Sequence, residues 1–180
     1  MALKVERNPV KIIVYFDGLC EPVNPGGIAT YGFTIYRGDS LMHSEGGFVG
    51  AGYLGDDVTN NVAEYMALIK ALEWLLENGY SDEELVVRGD SQLTISQLKG
   101  EYSVHSQRIA PLYHRTVTLI NRFRNVRFEW VPRSGNKEAD SLSRQAYFAF
   151  IREHPETLEK YAVTPGKRSW VRKHLYRTGD

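Results

Sequence analysis

Three apolar runs of strand length stand together near the front of this chain, and from residue 60 onward helical and strand-like runs alternate. That order is the strongest constraint on the fold, because each periodicity admits only one kind of element and the elements must share a core. The first run, Lys11–Asp17 (KIIVYFD), is short and apolar, and a turn-rich stretch with Pro22, Pro25, Gly26 and Gly27 follows it, so a buried strand ending at the acid is predicted. Ile28–Tyr36 and Leu41–Val49 flank Arg37-Gly38-Asp39-Ser40, whose Gly and Asp suit a hairpin turn. Asn60–Asn78 carries Tyr65, Met66, Ile69, Leu72, Leu75 and Leu76 at helical spacing, with Asn78-Gly79 as a C-terminal stop. Glu84–Arg88 reads as a buried strand, Ser91–Lys99 and Gln107–Phe123 as helices, Val126–Val131 as a strand and Asn136–Phe150 as a helix. The expected fold class is α/β: a mixed sheet with an antiparallel hairpin at one side, helices on both faces and right-handed crossovers.

Four acids fall where those elements start or end. Asp17 lies in YFDGLCEPVNPGG at the exit of the first strand, Glu64 in TNNVAEYMAL at the start of the long helix, Asp90 in VVRGDSQL at a strand exit, and Asp140 in GNKEADSLSRQA at the start of the last helix. Strand exits and helix starts are where an α/β sheet assembles its sites. Taken singly, Glu64 or Asp140 reads equally well as a first-turn acid that complements the helix dipole. Taken together, the four suggest one crevice. Carboxylates that share a crevice raise one another's pKa unless cations offset them, and all-oxygen ligands select hard cations such as Mg²⁺ or Mn²⁺. Two such ions about 4 Å apart can clamp an in-line displacement at phosphorus, one generating the attacking hydroxide and the other stabilising the departing 3′ oxygen. The chemistry is that of a metal-dependent phosphodiesterase leaving 5′-phosphate and 3′-hydroxyl ends.

Composition fits an ordinary enzyme of one domain: 180 residues and 42% hydrophobic content suffice for one well-buried core. The 22 basic and 22 acidic residues cancel, so binding of nucleic acid has to come from local clusters. A single cysteine, Cys20, excludes an intramolecular disulfide framework and a cysteine zinc cage, and it reads as a small packed side chain. No run approaches a membrane span and MALKVERNPVK lacks an apolar signal core, so a cytoplasmic location is expected, with no membrane partner.

The succession of strand-Asp-Gly, hairpin, Asn-Asn-x-x-Glu helix, strand-Asp-Ser helix and strand-loop-Asn-x-x-x-Asp helix resembles the type 1 ribonuclease H family over roughly residues 10 to 150. The resemblance implies a five-stranded mixed sheet with an antiparallel second strand, and endonucleolytic cleavage of the RNA strand of RNA/DNA hybrids with two Mg²⁺ ions, or Mn²⁺. It implies that Asp17 bridges the two ions, Glu64 and Asp90 hold the nucleophile-side ion, and Asp140 completes the leaving-group side. Residues 1–150 would form the catalytic domain and 151–180 a basic C-terminal extension packed on it, in a monomer. Gly18 and Leu19 offer main-chain groups to a sugar, and Asn60, Asn61 and Gln92 offer amides to 2′-hydroxyls and base edges. Thr59 matches a family position that holds a DNA-strand phosphate, although Thr59 and Asn60 read equally as helix caps. Asn24, in NPGG, resembles another minor-groove contact, one residue further from Asp17 than in some relatives.

Two departures narrow the resemblance. Many members carry a histidine in the loop before the last acidic helix; here Pro132-Arg133-Ser134-Gly135 has none and is similar to archaeal-type and some bacterial members with an Arg in that region. Arg133 is therefore the candidate for the scissile or departing phosphate, against a plain surface role. The stretch KGEYSVHSQRIAP replaces a longer Trp- and Lys-rich protrusion, with Lys99, Tyr102, His105 and Arg108 as a reduced handle and His105 and His114 expected to be solvated. Trp74, Trp130, Phe123 and Phe128 sit at apolar positions and read mostly as core. Lys167, Arg168, Arg172, Lys173 and Arg177, interleaved with Trp170, Val171, Leu175 and Tyr176, either contact a backbone or pack on the domain. A related nuclease on the same fold acting on structured DNA or double-stranded RNA, and a non-catalytic nucleic-acid-binding module, are the alternative readings.

Overall fold

The structure is a computed structural model and describes residues 10–161. The chain runs β1 (Ile12–Glu21), β2 (Ile28–Arg37), β3 (Ser40–Ala51), α1 (Asn60–Glu77), β4 (Glu84–Gly89), α2 (Gln92–Leu98), α3 (Ala110–Ile120), β5 (Asn125–Trp130) and α4 (Lys137–Glu153), with short 3₁₀ turns at Gly52–Leu54, Arg133–Gly135 and Pro155–Lys160. The strands form one sheet in the order β3-β2-β1-β4-β5; β2 pairs antiparallel with both neighbours, and β1, β4 and β5 are mutually parallel. This is the mixed sheet with an antiparallel hairpin at one side that the order of periodicities predicted, with the five strands and antiparallel second strand that the resemblance implied.

Alternation along β1 divides the molecule. Ile12, Val14 and Phe16 point to one face and pack with Ala67, Leu68, Ala71, Leu72 and Leu75 of α1 and with Leu85 and Val87 of β4. Leu68, Leu72 and Leu75 are fully buried, so truncating any of them to Ala costs about 2–5 kcal/mol. The opposite face takes α4, whose Tyr147 and Ile151 pack with Leu19, Ile28 and Ala51. Tyr161 joins that second cluster, and α4 runs on to Glu153. The basic tail residues Lys167 to Arg177 lie outside the described residues.

Three expectations are corrected. The first strand does not end at Asp17: it continues to Glu21, because β2 keeps antiparallel register through Cys20–Ala29 and Glu21–Ile28 after β4 has ended. The helix expected over Gln107–Phe123 is Ala110–Ile120, with Pro111 in its first turn, where a missing N–H costs nothing. Trp130 is not core. It stands on β5, an edge strand, and is 45% exposed. Phe123 is buried, and Trp74 and Phe128 pack against the main cluster as expected.

Candidate active site

Asp17 is the point on which the site is built. It pairs with Gly32 of β2 and lies two residues beyond Tyr15–Arg88, the last parallel pair between β1 and β4. β4 turns off at Gly89, so beside Asp17 β1 has an antiparallel neighbour on one side and a departing parallel one on the other, the kind of place where α/β sheets assemble sites.

Two glycines let helices close on this carboxylate from opposite faces. A Cβ on Gly18 would stand 2.6 Å from the Ala63 carbonyl carbon and 2.8 Å from the Ala63 Cβ, so only glycine admits the first turn of α1, and with it Glu64. A Cβ on Gly32 would stand 2.6 Å from the Ser143 nitrogen and 2.8 Å from the Leu142 Cβ, so glycine is equally required for α4. The close approach permits a hydrogen bond from Ser143 Oγ to Asp17 Oδ2 at 2.6 Å. Asn136, immediately before α4, donates through Nδ2 to the Phe16 carbonyl at 2.9 Å and fixes the helix start against β1.

Each remaining acid has its own support. Thr94 Oγ1, on α2, lies 2.6 Å from Glu64 Oε2 and 3.0 Å from Asn61 Oδ1. Ser91 caps α2 directly after Asp90, accepting from the Thr94 N–H, and Trp130 Nε1 donates to the Asp90 carbonyl at 3.0 Å. Asp140 is held by Arg144 Nε at 3.1 and 3.2 Å from its two oxygens, and by Arg133 Nη2 at 3.1 Å from Oδ1.

The electrostatics show that the acids share one field. Burial lifts the Asp17 carboxyl to about 6; the Ser143 hydrogen bond opposes this and the charges of Asp90 and Asp140 add to it. Burial also lifts Glu64 to about 7, against hydrogen bonds from Thr94 and Ser91, with Asp17 and Asp90 pushing further upward. Burial would raise Asp140 too, but the guanidiniums of Arg144 and Arg133 outweigh it and hold it below the ordinary range. An all-oxygen set under mutual repulsion suits a hard divalent cation. Among the described residues no three acidic, histidine or cysteine side chains already stand around one point, and the carboxylates of Asp17, Glu64 and Asp140 are each turned to a protein donor.

The other expected contact residues are placed as follows. Thr59 is the N-cap of α1, its hydroxyl accepting from the Val62 N–H at 3.1 Å. Asn60 is not the cap: its Oδ1 accepts from the Cys20 N–H at 2.6 Å and its own N–H donates to Asn24 Oδ1 at 3.1 Å, tying α1 to the loop after β1. Asn61 borders Glu64 through Thr94, and Gln92 is exposed at the start of α2. The Leu19 side chain is core, so only its main chain is left for contact. Cys20 is buried, and His105 and His114 are exposed. Arg108 is paired with Asp57 at 2.6 Å, while Tyr102 is 57% exposed. A cavity of about 430 Å³, lined by Tyr15, Thr34, Tyr36, Arg88, Asn136 and Glu138 among others, lies on the α4 face and contains none of the four acids.

Sequence reasoning missed Ser143, Thr94, Arg144 and Gly32. Arg144 was readable as an i,i+4 partner of Asp140, and Thr94 as the third residue after the cap Ser91. Gly32 needed the strand register, which nothing in its local sequence reveals.

The profile of a family described as reverse transcriptase-like matches residues 38–146. A protein named Ribonuclease H from Ruthia magnifica is 31% identical over 148 residues, covering 76% of this chain and 94% of its own. The chain belongs to the ribonuclease H family. A Ribonuclease HI of Halobacterium salinarum is 38% identical over 139 residues, covering 76% of this chain; the chain spans only 64% of that relative's length. Among solved structures, LC11-RNase H1 in complex with an RNA/DNA hybrid superimposes with a TM-score of 0.67 at 34% identity, covering 75% of this chain and 95% of that one. Dependence on divalent metal ions is general among ribonuclease H proteins. Among the described residues, no helix is long and apolar enough to cross a membrane.

Proposed function

We propose that this chain is an endoribonuclease that hydrolyses the RNA strand of RNA/DNA hybrids, with two Mg²⁺ or Mn²⁺ ions held by Asp17, Glu64, Asp90 and Asp140. The observation that carries the reading is the setting of Asp17: an 8% exposed carboxylate inside a strand, enclosed by helices that two glycines admit, and in the field of three further acids. So costly a placement has no structural return and is what a metal-bridging acid needs. The complex of LC11-RNase H1 with a hybrid supports the substrate class.

When bound, the ions supply an activated water and a clamp on the leaving 3′ oxygen. The chain's own residues do the rest. Glu64 and Asp90 border the side on which water is held, and Asp140 the leaving-group side. Arg133, 68% exposed on its 3₁₀ turn, reaches the departing phosphate by releasing Asp140. Asn61 and Gln92 lie where α1 and α2 start and offer amides to a 2′-hydroxyl, while Thr59, Asn60 and Asn24 hold the adjoining loop.

The test is a hybrid labelled on either strand and incubated with the purified protein, with and without Mg²⁺. Metal-dependent cutting confined to the RNA strand is expected, with 5′-phosphate ends. Equal cutting of a plain DNA duplex, or cutting that survives chelation, would overturn the reading. Arms with double-stranded RNA and with Mn²⁺ define the breadth of substrate and metal.

A further inference from the structure

Asp140 differs from the other three acids in already having positive partners. Arg144 reaches back one helical turn on α4, as long side chains do, and its Nε meets both carboxylate oxygens. Arg133 approaches a single oxygen from the neighbouring turn. The two arginines are not equivalent. Arg133 is 68% exposed on a turn and free to leave, whereas Arg144 is 34% exposed on a packed helix whose Ala139 and Ser143 are buried. Asp17 and Glu64, by contrast, are met among the described residues by neutral side-chain donors, the hydroxyls of Ser143 and Thr94. A cation approaching Asp17 and Glu64 relieves repulsion; one approaching Asp140 has to displace or tolerate a fixed guanidinium.

We propose that Arg144 is an internal counter-ion that competes with divalent metal for Asp140 and so weakens the hold of this corner of the site on an ion. The inference rests on the assignment of Asp140 as a metal ligand and extends it to the residue that sets how tightly Asp140 holds the ion. Arg144 is thus a positioning residue, acting on the ion through Asp140. A phosphate oxygen supplies the negative charge that one carboxylate shared with an arginine lacks, and Arg133 is the arginine able to move to it.

The experiment compares the parent with Arg144→Gln and Arg144→Lys. Mn²⁺ binding is titrated without nucleic acid, by calorimetry and by the free Mn²⁺ signal in electron paramagnetic resonance, with far-UV circular dichroism confirming the fold. Arg144→Gln should bind Mn²⁺ roughly three- to tenfold more tightly, the scale of one partly screened charge interaction, while Arg144→Lys stays near the parent. The metal concentration for half-maximal hybrid cleavage should fall in parallel. Unchanged or weaker Mn²⁺ binding by folded Arg144→Gln would overturn the proposal, as would equal tightening by Arg144→Lys, since the charge would then be irrelevant. Asp140→Asn separates the two levels of the argument. If it leaves Mn²⁺ binding and hybrid cleavage as in the parent, the assignment of Asp140 itself fails; if it weakens both and Arg144→Gln has no effect, only the competition fails.

Discussion

Gly32→Ala tests the claim that the site depends on how closely α4 approaches β2. The new Cβ would stand 2.6 Å from the Ser143 nitrogen, against an ordinary contact of 3.4 Å or more, so α4 has to retreat by about 0.8 Å. Both sides of the contact are backbone, and no side-chain rotation can relieve it. Overpacking of this kind costs about 1–3 kcal/mol, a fall of roughly 3–10 °C in melting temperature for a domain of this size. The retreat also lengthens the 2.6 Å hydrogen bond between Ser143 and Asp17 and carries Asp140 away from the other acids. Displacements near 1 Å at a reacting centre can lower turnover about 100-fold. The control is Gly38→Ala in the β2–β3 turn. Gly38 has φ +58, and a Cβ added there would meet nothing within 4 Å, so an L-residue incurs roughly 1–2 kcal/mol of backbone strain with no effect on α4. The two variants should therefore melt at comparably lowered temperatures, while only Gly32→Ala loses cleavage of a labelled hybrid at saturating metal. Parental turnover in Gly32→Ala, or an equal loss in Gly38→Ala, would refute the reasoning.

Asp17→Asn should lower hybrid cleavage by several orders of magnitude yet melt at or above the parent temperature in metal-free buffer, since it removes a buried charge that its neighbours repel. The raised carboxyls predict a pH dependence: Asp17 at about 6 and Glu64 at about 7 in the folded chain bind protons that the unfolded chain has already lost, so the contribution of these two groups to stability is full below pH 4 and declines as pH rises to 7, by a few kcal/mol shared between the two. Urea denaturation with chelator at pH 5 and pH 8 measures this, and greater stability at pH 8 would contradict it; millimolar Mg²⁺ at pH 8 should recover part of the loss. Asn61→Ala should raise KM for the hybrid more than it lowers kcat, because Asn61 borders Glu64 only through Thr94, and steady-state kinetics separate the two effects.

The sheet and its helices were legible because their signals are local. Period-2 and period-3.6 runs, Gly38-Asp39 in the turn and Asn78-Gly79 after α1 each act within a few residues, and Asp90 and Asp140 stand near the element boundaries where they were read, whereas Asp17 stands inside β1. What was not legible depends on register. The true end of β1 is set by β2 at Glu21, beyond both Tyr15, where the parallel pairing stops, and Asp17, where the apolar run suggests a stop. Trp130 reads as core from its alternation and is exposed because β5 is an edge, a property of strand order rather than of Val126–Val131 itself.

The continuation of β1 past Asp17 to Glu21 also explains why the site can exist. Had the strand ended at Asp17, that residue would sit on a loop, open to water and free to turn away from its neighbours. Continued antiparallel pairing with β2 instead fixes the Asp17 backbone on both sides, from Phe16–Phe33 through Gly18–Tyr31, while the departure of β4 after Gly89 leaves the carboxylate an opening. A rigid acid beside a gap is an unstable arrangement in water-poor surroundings unless donors restrain it, and the chain supplies one for three of the four acids: Ser143 from α4 to Asp17, Thr94 from α2 to Glu64, Arg144 from α4 to Asp140. The same contacts that make the metal-free fold tolerable set how much a cation must displace on binding, and the strength of the donor grows from hydroxyl at Asp17 to guanidinium at Asp140. With the four acids as the proposed metal ligands, the corner held by hydroxyls is the one a cation enters with less to displace, and the corner held by Arg144 is the one where it must compete with a fixed positive charge.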